Sequence, residues 1–454
     1  MQIHGKEILN FPYGDRIIGR QHCDFDIDEK SHEFLIQVEN VTMEEDFEFL
    51  FSNQIVHKEC LFCMDEAGKE FVIYDCYISP MQIPVKQMKI TWNKYLLGHH
   101  IENVQDEKII SAEYVIQTNK KKYPFHMFVG KNDFYIQNDT VHIKTEWNKN
   151  NSCYEGVLID VSMNVPMVVE EVETIILRLL EIFFLQIGFF PKVEKRKMLS
   201  EFGKEFYFWE EFAAYGKTAD RNIKLDYVLH TENSTPFPII YDKWCKLREK
   251  EVITFNLFSY LTTESSPVME VPIATCIQCL EGYFRVHHKD ELLRFSNSAK
   301  KQIKAEILNL LENSDKINGI CKEDGIDLKS IINSFDALSG HINEYSLKDI
   351  LRYAIERDDA TKKVFEYERS TSITERMLVI DLFIQKATGH RNWLSHLMDQ
   401  KRRFVGSEIN LANEKLRLLF RLTLMHDIGI EVTNSSLEMV VDKVNRWYKN
   451  NILQ

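Results

Sequence analysis

The spacing of the hydrophobic residues changes once along this chain, and that change constrains the fold more than any other feature. Up to about Ile159, apolar residues recur mostly at every second position, as in Met88-Lys89-Ile90-Thr91-Trp92. This spacing is typical of β-strands that bury one face. After Tyr241 the apolar residues recur every three or four positions, as they do in amphipathic helices. The sequence therefore predicts an α+β protein in two parts: a β-rich N-terminal domain, sandwich or barrel-like, and then an all-α helical bundle.

The N-terminal part contains a predicted hairpin and a predicted helix. Two strand-like runs between Cys60 and Ile78 flank a glycine-containing turn at residues 66–69, which is typical of a β-hairpin. A helix is predicted near residues 170–188, where the period lengthens, and Gly188 ends it. The segment that follows, residues 192–215, has a mixed pattern and is assigned to neither class.

The best candidate for a linker is the polar stretch from Gly216 to Pro238, which contains Thr, Asn, Ser and two prolines. We therefore predict a β-rich sensor or regulatory domain over residues 1–235. A helical domain is predicted over residues 236–454.

Capping residues indicate where the C-terminal helices begin and end. Ser298 and Ser346 are predicted to open two of them, and Ser372 with Glu375 forms a capping box at the start of a third. Gly389 is predicted to end that third helix and to separate it from the next. Later boundaries are predicted at Ser407, Gly429 and Ser435.

Composition excludes several classes of protein. Of the 454 residues, 44% are hydrophobic and 12% are aromatic, which is enough for large buried cores. The net charge of −13 argues against a protein that coats nucleic acid non-specifically, because such binding needs many Lys and Arg side chains at phosphates. Any contact with nucleic acid must therefore be local. The nine scattered cysteines indicate a reducing compartment rather than a disulfide scaffold.

Membrane association and secretion are not expected. The most apolar run, from Ile175 to Phe190, contains Arg178 and Glu181 and is too short and too charged to span a bilayer. The first residues lack the pattern of a signal peptide. We therefore expect a cytoplasmic protein that has no membrane partner.

The residues best suited to chemistry cluster between Thr388 and Arg403, in the sequence TGHRNWLSHLMDQKRR. A helix turns by about 100° per residue, so if Arg391 is set to zero, Ser395 lies near 40°, Asn392 near 100° and His396 near 140°. Bulky apolar residues fill the opposite arc. A helix here would bury one side and present a cation, an amide, a hydroxyl and an imidazole together on the other.

The bare spacing of arginine, four residues and histidine is weak evidence, because the chain contains it twice. The second copy, Arg421 to His426, lies in a strongly apolar helix. A looser version, Arg16 to His22, lies in the β-rich part. Only the copy at 391–396 has an Asn directly after the Arg, a small residue before the His and a basic segment behind it.

That sequence of RNxxxH type, on a late helix of a bundle, resembles the HEPN superfamily, whose ribonuclease members carry an Arg, four to six residues, His signature. The order of a β-rich domain, a helical linker and a C-terminal HEPN domain more narrowly resembles the ApeA group of bacterial anti-phage abortive-infection proteins. This resemblance implies an all-α HEPN helical bundle, metal-independent cleavage of host RNA, with tRNA as a candidate substrate, and no cofactor. It also implies a homodimer or larger homo-oligomer formed through the HEPN domain, with a phage protein as the trigger.

The residue types suit this chemistry. We expect His396 to act as the general acid or base, since histidine moves protons near neutral pH. We expect Arg391 to hold the scissile phosphate, since a guanidinium is a planar and permanently charged donor. Asn392 and Ser395 would orient these groups.

Lys401, Arg402 and Arg403 are predicted to bind RNA, because they would supply the local positive field that the acidic chain as a whole lacks. Glu281, Asp381 and His390 are candidates for groups that support the site. Whether they do depends on their proximity in space.

Two alternatives stay open. The polar face could belong to a non-catalytic HEPN-fold module that binds a nucleotide or a partner protein. The cysteines Cys60, Cys63 and Cys76 have partial zinc spacing, with Cys23 or His57 as a fourth ligand, although buried thiols are the preferred interpretation. Cys276 and Cys279 are expected in the core. The pairs His99-His100 and His287-His288 are expected at the surface.

Overall fold

The computed structural model describes residues 2–13, 16–28, 33–37, 55–79, 87–92, 94–98, 104–117, 132–150, 153–188, 190, 192–210, 229, 231, 235–263, 270–339, 345–357, 359–366, 373–396, 403–406, 408–433, 435 and 437–442. The chain forms two compact units. The first comprises residues 1–223 and 230–245, and the second comprises residues 224–229 and 246–454. The predicted linker falls mostly outside the described residues, and the boundary at 235 remains a prediction.

The first unit is β-rich, as predicted. Its strands are β1 (Gln2–Tyr13), β2 (Arg16–Asp28), β3 (Glu33–Gln37), β4 (Val56–Asp65), β5 (Glu70–Ile78), β6 (Gln87–Thr91), β7 (Lys94–Leu97), β8 (Lys108–Gln117), β9 (Asn132–Ile136), β10 (Val141–Asn150), β11 (Cys153–Val168), β12 (Lys192–Ser200) and β13 (Glu205–Glu210). All pairings are antiparallel, in the order β2-β1-β4-β5-β7-β13-β12-β8-β11-β10-β9, and β3 and β6 pair beside β5. Among the described strands this order ends at β2 and β9, so the barrel alternative is not what they form.

The hairpin between Cys60 and Ile78 is present as β4 and β5. The carboxylate of Asp65 accepts hydrogen bonds from the backbone N–H groups of Ala67 and Lys69, and Gly68 adopts a positive φ of 76°. The segment 192–215, which the sequence left unassigned, contributes β12 and β13. These two strands stand in the middle of the sheet. In β12 the alternation is interrupted by Arg196, a charged residue on the buried face that is 3% exposed and lies 3.7 Å from Glu173.

A long helix, α1 (Val169–Ile187), follows β11, and it ends at Gly188 as predicted. Gly188 has a φ of 82°, and its N–H donates to the carbonyl of Phe184 at 2.8 Å. The left-handed backbone conformation at the end of a helix favours glycine at this position. The helix packs on the sheet. The Tyr114 hydroxyl of β8 donates to Glu173 at 2.9 Å.

The second unit is helical, as predicted. Its helices, together with α2 at the boundary between the units, are α2 (Phe237–Lys250), α3 (Val252–Thr263), α4 (Glu270–His287), α5 (Asn297–Asn313), α6 (Asp315–Glu323), α7 (Leu328–Ser339), α8 (Leu347–Glu356), α9 (Asp359–Glu366), α10 (Ile373–His396) and α11 (Glu408–Ile428). The α+β organisation in two parts is therefore confirmed. No described helix is both long enough and apolar enough to cross a lipid bilayer.

The predicted helix boundaries are partly wrong. Ser346 opens α8, as predicted, and it forms a capping box with Asp349. Ser298 does not open α5, because the cap is Ser296, whose hydroxyl accepts from the N–H of Ala299 at 3.1 Å. Gly389 does not break the helix. It is buried inside α10, which continues to His396. A glycine with ordinary helical φ weakens a helix by about 1 kcal/mol but does not end it.

Candidate functional site

The RNxxxH residues lie at the C-terminal end of α10, which is one continuous helix of 24 residues. Its earlier turns are anchored by Ile380, Ile384 and Ala387, which are buried. The helix packs against α4. Towards its end, Arg391 and Asn392 are half-buried and Ser395 is exposed, whereas His396 is the last residue of the helix and its side chain lies outside the described residues.

Arg391 is held on two sides. Its Nη1 donates to Oδ1 of Asn392 at 3.4 Å, and its Nη2 lies 3.7 Å from Oε2 of Glu281 on α4. Its Nε is buried and has no hydrogen-bond partner among the described residues. The side chain is 28% exposed. The side chain of Arg391 is therefore held by the protein and stays partly exposed.

Glu281 is bound to a second arginine, which fixes the carboxylate in turn. Its Oε1 accepts from Arg285 Nε at 3.1 Å and from Arg285 Nη2 at 2.9 Å. Arg285 Nη2 also donates to the carbonyl of Tyr345 at 3.4 Å. The prediction that Glu281 supports the site therefore has a geometric basis, since Glu281 contacts Arg391.

His390 is fully buried beside Arg391 but faces the core. One ring nitrogen, Nε2, lies 3.3 Å from the carbonyl of Glu270, and the ring packs against Trp393 and Phe404 with centroid distances of 5.5 and 5.9 Å. Burial lowers the pKa of this imidazole. Its contacts are those of a packed side chain, and they favour a role in positioning the helix.

Asp381 does not reach Arg391. It pairs with Arg352 of α8, and it lies ten residues before Arg391 on the same helix, which corresponds to about 15 Å along the axis. Of these two candidates for supporting residues, Glu281 contacts Arg391, whereas Asp381 contacts Arg352.

The basic segment is represented by Arg403, since Lys401 and Arg402 lie outside the described residues. The guanidinium of Arg403 lies over the indole ring of Trp393, 4.2 Å from its centroid. Stacking uses the face of a guanidinium and leaves its N–H edge for other partners. Arg403 thus lies against the helix that carries Arg391.

Residues 275–434 match the family model described as Apea-like HEPN. The chain carries an ApeA-like HEPN domain. The match begins within α4 and ends beyond α11, so it includes Glu281 and Arg391. No curated protein and no solved structure matches the chain.

The HEPN domain also contains a network of titratable side chains that the sequence did not reveal. Asp427, at the end of α11, accepts hydrogen bonds from Tyr283 at 2.5 Å and from His288 Nε2 at 3.0 Å, and Arg357 donates to both of its oxygens. The other nitrogen of His288, Nδ1, lies 3.3 Å from Glu291. The network joins helices α4, α8 and α11.

The prediction that His287 and His288 lie at the surface is therefore wrong. The side chain of His288 is 10% exposed, because the end of α4 meets α11 at this point. His287 is half-buried, and burial lowers its pKa. The contacts responsible join residues 139 positions apart in the chain, so no local pattern could indicate them.

The second Arg-x4-His pair does not form a comparable face. Arg421 is buried in α11, whereas His426 is 51% exposed and lies 3.0 Å from Arg357. Its two members therefore occupy different environments. The third pair, Arg16 to His22, belongs to β2.

The N-terminal cysteines do not favour a metal site. Cys60 and Cys63 are three positions apart in the regular strand β4, so they point to opposite faces of the sheet. The Cys63 and Cys76 thiols contact backbone carbonyls, and burial raises the pKa of Cys76. No group of three or more His, Cys, Asp or Glu side chains suited to a metal occurs within the described ranges. Cys276 and Cys279 are buried in α4, as expected.

Proposed function

We propose that this protein is a metal-independent endoribonuclease of the HEPN type that cleaves host RNA, with tRNA as a candidate substrate, in defence against phage. The observation that carries the proposal is the state of Arg391. It lies at the end of α10 inside the ApeA-like HEPN domain, and a carboxylate and an amide hold it while its side chain stays 28% exposed. A guanidinium held in this way is suited to bind a phosphodiester.

The reaction uses the RNA's own nucleophile. The 2′-oxygen attacks the neighbouring phosphorus and the bond from phosphorus to the 5′-oxygen breaks, which leaves a 2′,3′-cyclic phosphate and a 5′-hydroxyl. One proton must leave the 2′-hydroxyl and one must reach the departing 5′-oxygen. His396 transfers protons in this scheme, and Arg391 stabilises the charge that develops on the non-bridging oxygens.

The other residues of the motif act on these two groups and on the strand. Asn392 orients Arg391 through the contact between its amide oxygen and the guanidinium. Ser395 is exposed, and in this scheme it contacts the phosphate or the imidazole. Lys401, Arg402 and Arg403 bind flanking phosphates, which limits the electrostatic contact to one part of an acidic protein.

The β-rich N-terminal region senses a phage component or restrains the HEPN domain until infection. This part of the proposal rests on the order of the domains and on the resemblance to ApeA proteins. Expression of the whole chain during phage infection, with and without an inactive HEPN domain, tests it.

The central experiment compares purified wild-type protein with Arg391→Ala and His396→Ala on a fluorescent single-stranded RNA of mixed sequence and on bulk tRNA, with EDTA present. Both variants are expected to lose at least about 100-fold in cleavage rate, because each removes a group needed in the transition state. His426→Ala, from the second Arg-x4-His pair, serves as the matched control and should cleave normally. Undiminished cleavage by His396→Ala, with a normal melting curve, would show that His396 is not a catalytic residue.

A further inference from the structure

Glu281 is a partly buried carboxylate that lies between two arginines on neighbouring helices. Its side chain is 18% exposed. One oxygen is bound by Arg285, a residue of the same helix, and the other lies 3.7 Å from Arg391 on α10. A surface ion pair between residues four apart on one helix contributes little to stability. The contact with Arg391 is the one that links this carboxylate to the proposed site.

We infer that Glu281 is a positioning residue that presets the guanidinium of Arg391 for the scissile phosphate. The inference rests on the proposed function and goes beyond the RNxxxH motif, since Glu281 lies 110 positions earlier in the chain. Arg285 takes part indirectly: its bonds to Glu281 and to the Tyr345 carbonyl fix the carboxylate.

The physical reason is the flexibility of the arginine side chain. A free arginine side chain loses rotamer freedom when its guanidinium is held in one place. Asn392 and Glu281 impose this restriction before RNA arrives, so less of the binding energy of the phosphate is used for ordering. Positioning errors of about 1 Å can cost about 100-fold in rate. Loss of Glu281 should therefore act on the chemical step more than on RNA binding.

The test is a double-mutant cycle between Glu281→Gln and Arg391→Ala, measured as steady-state kinetics of cleavage of the mixed-sequence RNA. Glutamine keeps the shape of the side chain and removes its charge. Glu281→Gln alone is expected to lower kcat by about 10- to 100-fold with little change in KM and with an unchanged melting temperature. In the Arg391→Ala background the same substitution should have almost no further effect, because the residue that it positions is absent.

Glu306→Gln is the matched control, since it removes the same charge from an exposed position on α5 of the same domain. It should leave kcat unchanged. If Glu281→Gln cleaves at the wild-type rate or faster while Arg391→Ala is inactive, the inference is wrong and the proposed function stands. If its effect persists in the Arg391→Ala background, Glu281 acts independently of Arg391 and the inference is again wrong.

If instead wild-type protein and Arg391→Ala cleave equally, or neither cleaves, the proposed function fails and the inference fails with it.

Discussion

At the scale of single residues, Asp427 is the clearest case of a charge stabilised by its neighbours. Burial raises the pKa of its carboxyl, but the hydrogen bonds from His288, His426 and Arg357 outweigh burial and hold the pKa well below its usual range. A carboxylate with a depressed pKa stabilises the folded state above its unfolded pKa of about 3.9, and this stabilisation is lost progressively as the pH falls below that value.

We expect Asp427→Asn to destabilise the helical unit by about 2–3 kcal/mol at neutral pH, because charge-assisted hydrogen bonds are lost while the guanidinium of Arg357 stays largely buried. The difference from wild type should shrink as the pH falls from 5 to 3. Urea unfolding at several pH values measures both effects.

Asp381→Asn is the matched control for that substitution. It removes an aspartate that also pairs with an arginine, but on a more exposed surface, where ion pairs contribute less than about 1 kcal/mol. Two results would contradict the role assigned to Asp427: an equal loss of unfolding free energy in the two variants, or a loss in Asp427→Asn that does not depend on pH.

At the scale of secondary structure elements, the start of α5 contains two serines in different roles: Ser296 caps the helix, and Ser298 is its second residue. Ser296→Ala removes the hydroxyl that accepts from the Ala299 N–H, whereas Ser298 lies within the helix. We expect Ser296→Ala to cost about 1 kcal/mol locally and to accelerate amide exchange in the first turn of α5 by roughly fivefold. Ser298→Ala should leave exchange unchanged or slow it, because alanine favours helix interiors. If Ser298→Ala accelerated exchange and Ser296→Ala did not, the helix would start at Ser298.

Local signals explain which elements the sequence could predict. Gly188 ends α1 and Ser346 caps α8, and both could be predicted because each device acts within about one turn. The prediction that Gly389 ends a helix is wrong. The packing of α10 outweighs the modest cost of one helical glycine. β12 and β13 are not predicted. In β12 the buried Arg196 places a charge on the covered face and so interrupts the alternation.

The candidate site shows the same division. Arg391, Asn392 and Ser395 share an arc of one helix, so their angular spacing could be worked out from the sequence. The partner of Arg391 could only be guessed, because Glu281 meets it through the packing of α4 on α10. Contacts of this kind depend on tertiary structure and leave no periodic trace.

At the scale of the whole molecule, the proposed chemistry has a consequence for assembly. A single RNxxxH face supplies one arginine and one histidine, and in the HEPN mechanism two copies of the motif face one another. In one chain Ser395 is exposed and the side chain of Arg391 is partly exposed, so this face is available to a second copy. We therefore expect cleavage to require two subunits related by a twofold axis.

Mixing active and inactive chains tests this requirement. Wild type and His396→Ala are co-expressed in equal amounts with different tags, so that subunits can pair at random. If both motifs of a pair are needed, only wild-type pairs cleave, and activity per total chain should fall to about one quarter of the wild-type value. Sites that work within one chain would instead give about one half. A value of one half, together with a monomeric mass by light scattering, would show that one chain is sufficient and would remove the twofold site from the mechanism.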